Sequence, residues 1–426
     1  MKQEARVRIT RRILGFLSAR LAELPLDEVR SRRKRNRKWP CRTLLTALIV
    51  GLVAGCKGLR EVERLLANEL GEGARKLLGL WRRVADTTLR DYIMALKPDA
   101  VRALIYQQIL LADRRKQLTT DMPIRAVSMD GKATSTRLFD PPEAEIAYAQ
   151  RQGSIAVVRT ITSCLVTAPG RPCIDAHPVP PATNEMGAFI DALDALLTVY
   201  ARRLFDLVMY DSGACSLANA TAIFERGLDY LMCLTALQPE LLREAQRVLG
   251  KRGAETALAE TVELEGSKVV VRRLWLTEDI AGWLDWTHLR TVARVQYERT
   301  DKLTGQTTIE DCYYITSMPA SRLVPADWLK LIRRRWAVEN DNHKTLDTVF
   351  DEDDRPWLIA PQGMLVMMLL RRLAYNMLTL LRSVTFRAEH KRAQPWNDLV
   401  RIIFVSLVCA TLEMIALTRR RVVIAG

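Results

Sequence analysis

Apolar residues change their spacing along the chain, and the changes mark the elements. Ile124–Met129 (IRAVSM) alternates with period two. Ser154–Val166 and Cys173–Val179 are rich in β-branched residues, and Leu204–Tyr210 and Asp229–Leu234 are short apolar runs. All five read as strands. Asn184–Val199, Leu217–Glu225 and Pro239–Val248 place apolar residues about once per helical turn, and Gly227 closes the second of them. The order βββαβαβα predicts an α/β fold, a mixed sheet with helices against it. Upstream, Val7, Ile9, Ile13, Leu14, Leu17 and Leu21 alternate with arginines as an amphipathic basic helix. Thr43–Gly55, Leu59–Leu70, Thr88–Leu96 and Pro98–Leu118 read as further helices. Asp86-Thr87-Thr88 offers N-caps, and Lys97-Pro98 ends the helix before it.

Downstream the texture turns strand-like again. KVVVRRLWL, RTVARVQYERT and TTIEDCYYITS, within Ser267–Thr316, predict a β insert with turns at Asp301-Lys302 and Thr304-Gly305. Trp275, Trp283, Trp286, Tyr297, Tyr313 and Tyr314 gather there, either as the insert's own core or as platforms for an unpaired base. Leu331–Asp347 (LIRRRWAVENDNHKTLD) contains no Gly or Pro and reads as one helix. On it Arg335, Glu339 and His343 fall at i, i+4 and i+8 on one face, with Trp336 beside them. An acidic cluster, Asp351–Asp354, precedes a long apolar helix, Gly363–Leu381, that contains Arg371-Arg372. A last helix, Trp396–Leu417, ends in three arginines. These divisions give a helical region over 1–120, a core over 121–255, a β insertion over 256–320, a second part of the core with the Glu339 helix over 321–385, and a helical region over 386–426.

Charge narrows the choice of partner. The net charge is +15 and the pI is near 9.6, which suggests a polyanion, either nucleic acid or an anionic membrane surface. Seven of the nine residues in Arg30–Lys38 are basic. This run, with Arg32, Arg33, Lys34 and Arg35 at its centre, reads as a phosphate-attracting arm or a solvated linker. The short helices around Lys57, Arg60, Arg82, Arg83 and Arg90 resemble a DNA-binding domain of helix-turn-helix type. The longest uncharged apolar runs, Thr43–Cys56 and Trp357–Leu370, fall short of the ~20 residues of a membrane span, so nucleic acid is favoured over membrane. The charged N-terminus has no secretory pattern. The eight cysteines are scattered without a C-x-x-C pair and read as reduced core residues of a cytoplasmic protein.

Two aspartates stand out by position. Asp130 follows a strand and precedes Gly131, where the missing Cβ admits close approach. Asp211 follows another strand, and ligands in α/β sheets gather at strand carboxyl ends. With Glu339 these make three carboxylates in a chain of four histidines, a donor set for Mg2+ or Mn2+. Two such ions would serve phosphoryl transfer on a nucleic-acid backbone. Each residue also has an ordinary alternative. Asp130 reads equally as a turn aspartate, Asp211 as a cap with Ser212 or Ser216, Glu339 as a surface partner of Arg335, and Lys132 as a solvated lysine.

The blocks themselves resemble a known family. WAVENDNHKTLD (Trp336–Asp347), followed by FDEDDR, is similar to the W-x-I/V-E-N-x-x-H-x-x-L-D block of DDE transposases of bacterial insertion sequences. VSMDGK resembles their first acidic block, Thr183-Asn184-Glu185 a following T/S-N-E element, and LVMYDSGACS the second acidic block. GLDYLMCLTALQPEL resembles the strand after it, and the N-terminal WPCRTLLTALIVGLVAGCKGLREVERLL the family's leading helices. The matches run in order over about 38–385. The resemblance implies an RNase H-like core with a β-rich insertion and helical N- and C-terminal regions. It also implies metal-dependent DNA cleavage and strand transfer, with two Mg2+ or Mn2+ ions on Asp130, Asp211 and Glu339. The implied partners are terminal inverted repeats and target DNA, bound by a homodimer. DNA contacts are expected at Arg335, Trp336, Lys132, His343 and Lys344. A related Y-x2-R-x3-E-x6-K signature is met only at Arg335 and Glu339, since Ile332 and Leu346 replace its tyrosine and lysine. Lys344, His343 or Arg334 is then expected to grip the 5′ phosphate.

Overall fold

A computed structural model describes residues 2–29, 39–137, 148–200, 204–210, 212–386 and 388–416. The basic run Arg30–Lys38, Asp211 and the three closing arginines lie outside the described residues. A ten-stranded mixed sheet organises the rest. Its first part comprises β1 (Ala126–Arg137), β2 (Gln150–Gln152), β3 (Ile155–Leu165), β4 (Cys173–Pro178), β5 (Leu207–Tyr210) and β6 (Asp229–Cys233). β1 pairs antiparallel with β3 and parallel with β5, β3 pairs antiparallel with β4, and β5 pairs parallel with β6. The resulting order β4-β3-β1-β5-β6 is the RNase H-like arrangement.

The β insert is not a separate sheet. β7 (Ala259–Glu265), β8 (Lys268–Thr277), β9 (Thr291–Asp301) and β10 (Thr307–Thr316) form a meander whose last strand pairs with β6, extending the same sheet. The join is made by Tyr314↔Cys233, Ile315↔Met232 and Thr316↔Leu231. The free edge at β7 carries Glu260, Glu263 and Glu265, which pair with Arg273, Arg272 and Arg333. A charged edge disfavours pairing with a further strand. The aromatic cluster of the insert is largely its own core: Trp275, Trp286, Tyr313 and Tyr314 are buried, and Arg294 stacks on Trp275 at 4.5 Å.

Helices cover both faces. Phe189–Tyr200, Leu217–Glu225 and Pro239–Leu249 bury their apolar stripes on one face, with Val127, Met129, Val208 and Tyr230 of the strands. On the other face Pro361–Leu380 is buried along almost its whole length and packs on Cys41–Val53, Pro98–Arg114 and β4. Trp396–Val408 packs on Lys2–Glu23. The helices of 2–114 and 361–408 therefore share one core. Pro361–Thr385 is long and apolar enough to cross a membrane, longer than the uncharged runs suggest, but its apolar window is buried inside the protein.

Two expectations about element bounds are corrected. β1 does not end at Asp130. It runs seven residues further, held by the β3 ladder from Asp130↔Thr162 to Arg137↔Ile155, while its pairing with β5 stops at Met129↔Tyr210. Nor is Leu331–Asp347 one α-helix. An α-helix, Pro325–Arg334, gives way at Arg335 to a π-helical turn, Val338–His343, and then to Lys344–Phe350. The Lys344 N–H donates to the Glu339 carbonyl five residues back, so the segment is wound more widely than an α-helix, while Arg335, Glu339 and His343 still line one cavity. Single wide turns of this kind are often found at functional sites.

Candidate active site

Side chains alternate along a strand. Ser128, Asp130, Lys132 and Thr134 of β1 therefore face the segment after Arg334, and Val127, Met129 and Gly131 face the opposite helices. Asp130 sits one residue past the last β1–β5 pair, where the sheet opens into a cleft. The Ser128 hydroxyl donates to the Arg335 carbonyl at 2.6 Å and docks the π-turn across this opening. A cavity of about 350 Å3 results. It is lined by Asp130, Gly131 and Lys132 from β1, and by Arg335, Trp336, Glu339, His343 and Asp347 from the facing segment. Two of the three expected carboxylates thus meet although 209 residues separate them in the sequence. Asp211 is the next residue after Tyr210, the register partner of Met129. Nearby, Ser216 caps Leu217–Glu225, its hydroxyl accepting from the Asn219 N–H at 3.1 Å.

The groups around the carboxylates differ in how far the protein satisfies them. Glu339 is exposed to the cavity and makes no ion pair among the described residues. His343 is only 7% exposed. Its Nδ1 lies 3.3 Å from Asp130 Oδ2, and its Nε2 has no partner among the described residues. Trp336 is half exposed, with the Arg335 guanidinium 5.0 Å from its ring centre. Lys344 is exposed. Arg334 is held by Asp121 at 2.6 and 2.7 Å.

Lys132 corrects the reading as a solvated lysine. It is buried, and its ammonium donates to Asp347 at 2.6 Å and Asp353 at 2.8 Å; Thr134 donates to the other Asp353 oxygen at 3.0 Å. Burial pulls the Lys132 pKa down, but the hydrogen bonds to the two carboxylates outweigh it and raise the group above its ordinary value. The acidic cluster that seemed uniform in the sequence divides at Asp351, which adopts a left-handed conformation (φ 50°) at the end of Lys344–Phe350. Asp351 pairs with Lys57 at 3.1 Å, Glu352 with the buried Arg372, and Asp353 with Lys132.

One acidic residue near the cavity received no role from the sequence. Glu185 precedes the helix Phe189–Tyr200, and its carboxyl group occupies the space that a Cβ on Gly131 would take. Burial first, then the charge of Asp130, push its pKa up, against Arg159 and His343. The only sequence signal for it was its place in the Thr183-Asn184-Glu185 element.

Comparison with known proteins agrees with this geometry. The family model described as transposase DDE domain matches residues 125–377, more than half of the chain, and contains every residue of the cavity. No curated protein matches the chain. Among solved structures, the piggyBac transposase synaptic complex with hairpin DNA, determined by electron cryomicroscopy, matches with a TM-score of 0.37 and 12% identity over 97% of this chain and 79% of that one. A similarity that low carries no weight for the function.

Proposed function

The chain belongs to the transposase DDE domain family and is a DNA-cleaving and DNA-joining enzyme. From that premise we propose that it moves a bacterial insertion sequence in the cytoplasm, using two divalent cations, Mg2+ or Mn2+, held by Asp130, Asp211 and Glu339. The observation that carries this reading is the single cavity that brings Asp130 of β1 and Glu339 of the π-turn together inside the matched region. The donor set fits hard cations: carboxylate oxygens, those of Glu339 free of any ion pair among the described residues. When bound, the cations activate the attacking oxygen and stabilise the leaving one.

The protein's own groups then supply position and charge. Asp130 is fixed by the β1–β3 ladder, and His343 Nδ1 orients its carboxylate. Ser128 and Lys132 hold the facing segment on β1. Trp336, half exposed with the buried Arg335 guanidinium against its ring, offers an aromatic lip for the DNA end, with Lys344 exposed about two turns further along. Arg32, Arg33, Lys34 and Arg35 add a phosphate-binding arm. At the element end, water attacks the phosphodiester and releases a 3′-hydroxyl. That hydroxyl attacks a phosphodiester of the target, joining the strands and releasing a second 3′-hydroxyl, with no covalent bond to the protein. The terminal inverted repeats of the element are the cognate DNA, and two ends must be held together, so the acting species is a homodimer on DNA.

The test is a pre-cut element end with a free 3′-hydroxyl, offered with target plasmid and Mg2+ to wild type, Asp211→Ala and Glu339→Ala. Joined product from wild type alone supports the reading. Joining that survives either change defeats the three-carboxylate assignment. Cleavage without joining identifies a nuclease, and binding without either reaction identifies an inactive DNA-binding descendant.

A further inference from the structure

We propose that the outer face of the β insert is a docking surface for a second copy of this chain; the inference rests on the homodimer reading above and names where the two copies meet. Residues directly opposite one another on neighbouring strands share a face of the sheet. One face of the meander carries the row Val262–Val271–Glu298–Ile309 and, beside it, the pair Leu264–Val269. Val262, Leu264 and Ile309 are 60, 61 and 63% exposed. Leu258, on the same side of the chain by strand alternation, is 51% exposed. The opposite face holds the charges. Arg272 is buried there with Glu263 and Glu265, under the helix Pro325–Arg334, whose Arg333 pairs with the same two acids. A sheet with one covered face normally turns its apolar residues toward the cover and its polar residues toward water. From residue 258 to 265 that order is largely reversed, which marks the exposed face as one that another surface covers.

The chemistry of the face selects protein over phosphate. Its polar groups are closed among themselves: Arg273 donates to Glu260 and to Glu298, each at 2.7 Å, and the Thr300 and Thr307 hydroxyls share a hydrogen bond at 2.9 Å. Two acids around one arginine offer nothing to a DNA strand. In a chain of net charge +15 they also let two copies approach here without the repulsion that a basic surface imposes. The charged edge at β7 disfavours strand-to-strand pairing, so the contact is face to face, as two sheets stack about 10 Å apart. A face of branched apolar residues is its own complement across a two-fold axis. Its size sets when the contact forms. The strands β7, β8, β9 and β10, about 4.8 Å apart and used over about six residues each, cover roughly 400 Å2 per copy. The resulting total of roughly 800 Å2 is below the ~1,200 Å2 of a stable interface. The face therefore joins copies that two DNA ends already hold close together, where the effective concentration is high.

The experiment counts chains and DNA ends, by light scattering, in complexes of the full chain with duplexes that carry the element end. It compares wild type, Val262→Glu with Leu264→Glu, Val262→Lys with Leu264→Lys, an equal mixture of these two variants, and Ile309→Glu on a different strand of the same face. The melting temperature of each free protein is measured alongside. Wild type is expected to form complexes of two chains and two ends. Each variant alone is expected to melt as wild type and to bind a single end, but to lose end pairing by at least about 10-fold, like charges now facing one another across the contact. The mixture is expected to regain pairing, because acid on one copy then meets base on the other. Equal pairing by wild type and all variants overturns the docking face and leaves the homodimer reading standing. Loss of pairing without recovery in the mixture overturns the second copy as occupant. Loss of single-end binding by Ile309→Glu at an unchanged melting temperature assigns the face to DNA instead. A wild type that never holds two ends overturns the homodimer reading and this inference with it.

Discussion

Two groups of charged residues, linked through Lys132 and Asp353, are treated in opposite ways in this protein. Glu352, Arg371 and Arg372 are each 0% exposed. Arg372 donates to Glu352 at 2.6 Å and to the Met368 carbonyl at 3.0 Å, and the charge of Glu352 holds it protonated against burial. This cluster is enclosed by the fold, one carboxylate serving two guanidiniums, and Arg371 and Arg372 each keep nitrogens without a hydrogen-bond partner among the described residues. The cleft around Asp130 and Glu339 is open: acidic groups line a cavity, and the nearest base, His343, leaves one nitrogen unused. Buried charge that the fold pairs internally serves the fold, whereas titratable groups gathered in an open cleft mark a candidate functional site. Lys132 joins the two groups. It is two residues from Asp130 and holds Asp353, the neighbour of Glu352.

The comparison makes separable predictions. Asp130→Asn or Glu339→Gln is expected to lower the rate of strand joining by roughly 1,000-fold or more, about 4 kcal/mol of transition-state stabilisation, while the denaturant midpoint stays within error of wild type. A change in the closed cluster is expected to do the reverse. Glu352→Gln strands Arg372 in the core and should cost about 3–5 kcal/mol of stability, read from urea unfolding. If Glu352→Gln unfolded at the wild-type midpoint, the internal pairing of Glu352 with Arg372 would not be what holds these charges in the core.

Lys132→Met falls between the two. It leaves Asp347 and Asp353 without their ammonium, for about 1–2 kcal/mol of stability, and loosens the segment that carries Glu339. It is therefore expected to slow joining as well, with partial recovery in Lys132→Arg. A loss of stability with full joining activity would reduce Lys132 to a strut without bearing on the site.

The smallest effect is at the rim of the same segment, where Asp121 pairs with Arg334 and Lys330. Hydrogen bonds from Arg334 hold its carboxyl well below the usual carboxylate range. A depressed folded-state pKa stabilises the protein above the unfolded value and loses that contribution as pH falls through the folded one. Because Asp121 is half exposed, Asp121→Asn is expected to cost under about 1 kcal/mol at pH 7. The difference from wild type should shrink as the medium is acidified below about pH 4, in melting curves recorded across pH.

Legibility in the sequence followed the same division. The strands of 121–234 and the insert were readable because period two and β-branched runs are local signals; each expected strand appears, although β1 runs on to Arg137 and the strands β2 and β7 were not expected. That β10 pairs with β6 and makes one sheet was not readable, because register between distant strands is a matter of tertiary packing. Asp130 and Glu339 could be chosen from their blocks, but their meeting depends on the bond from Ser128 to the Arg335 carbonyl, which no spacing announces. The wide turn at Val338–His343 hid inside a run with perfectly ordinary helical composition. The acidic cluster at 351–354 carried no assignment of partners because sequence does not reveal that Asp351 pairs with Lys57, Glu352 with Arg372 and Asp353 with Lys132. Glu185 was visible only as part of a short element, since its partner Gly131 lies 54 residues earlier.

The central claim, that the open carboxylates hold divalent cations against the reacting phosphate, is met most directly by substituting the leaving 3′-oxygen at the element end with sulfur and measuring cleavage in Mg2+ and in Mn2+. Sulfur accepts the softer Mn2+ far better than Mg2+. The account predicts that wild type cleaves the sulfur-substituted end slowly in Mg2+ and recovers in Mn2+, relative to the unmodified end in each ion. Equal relative rates in the two ions would contradict it.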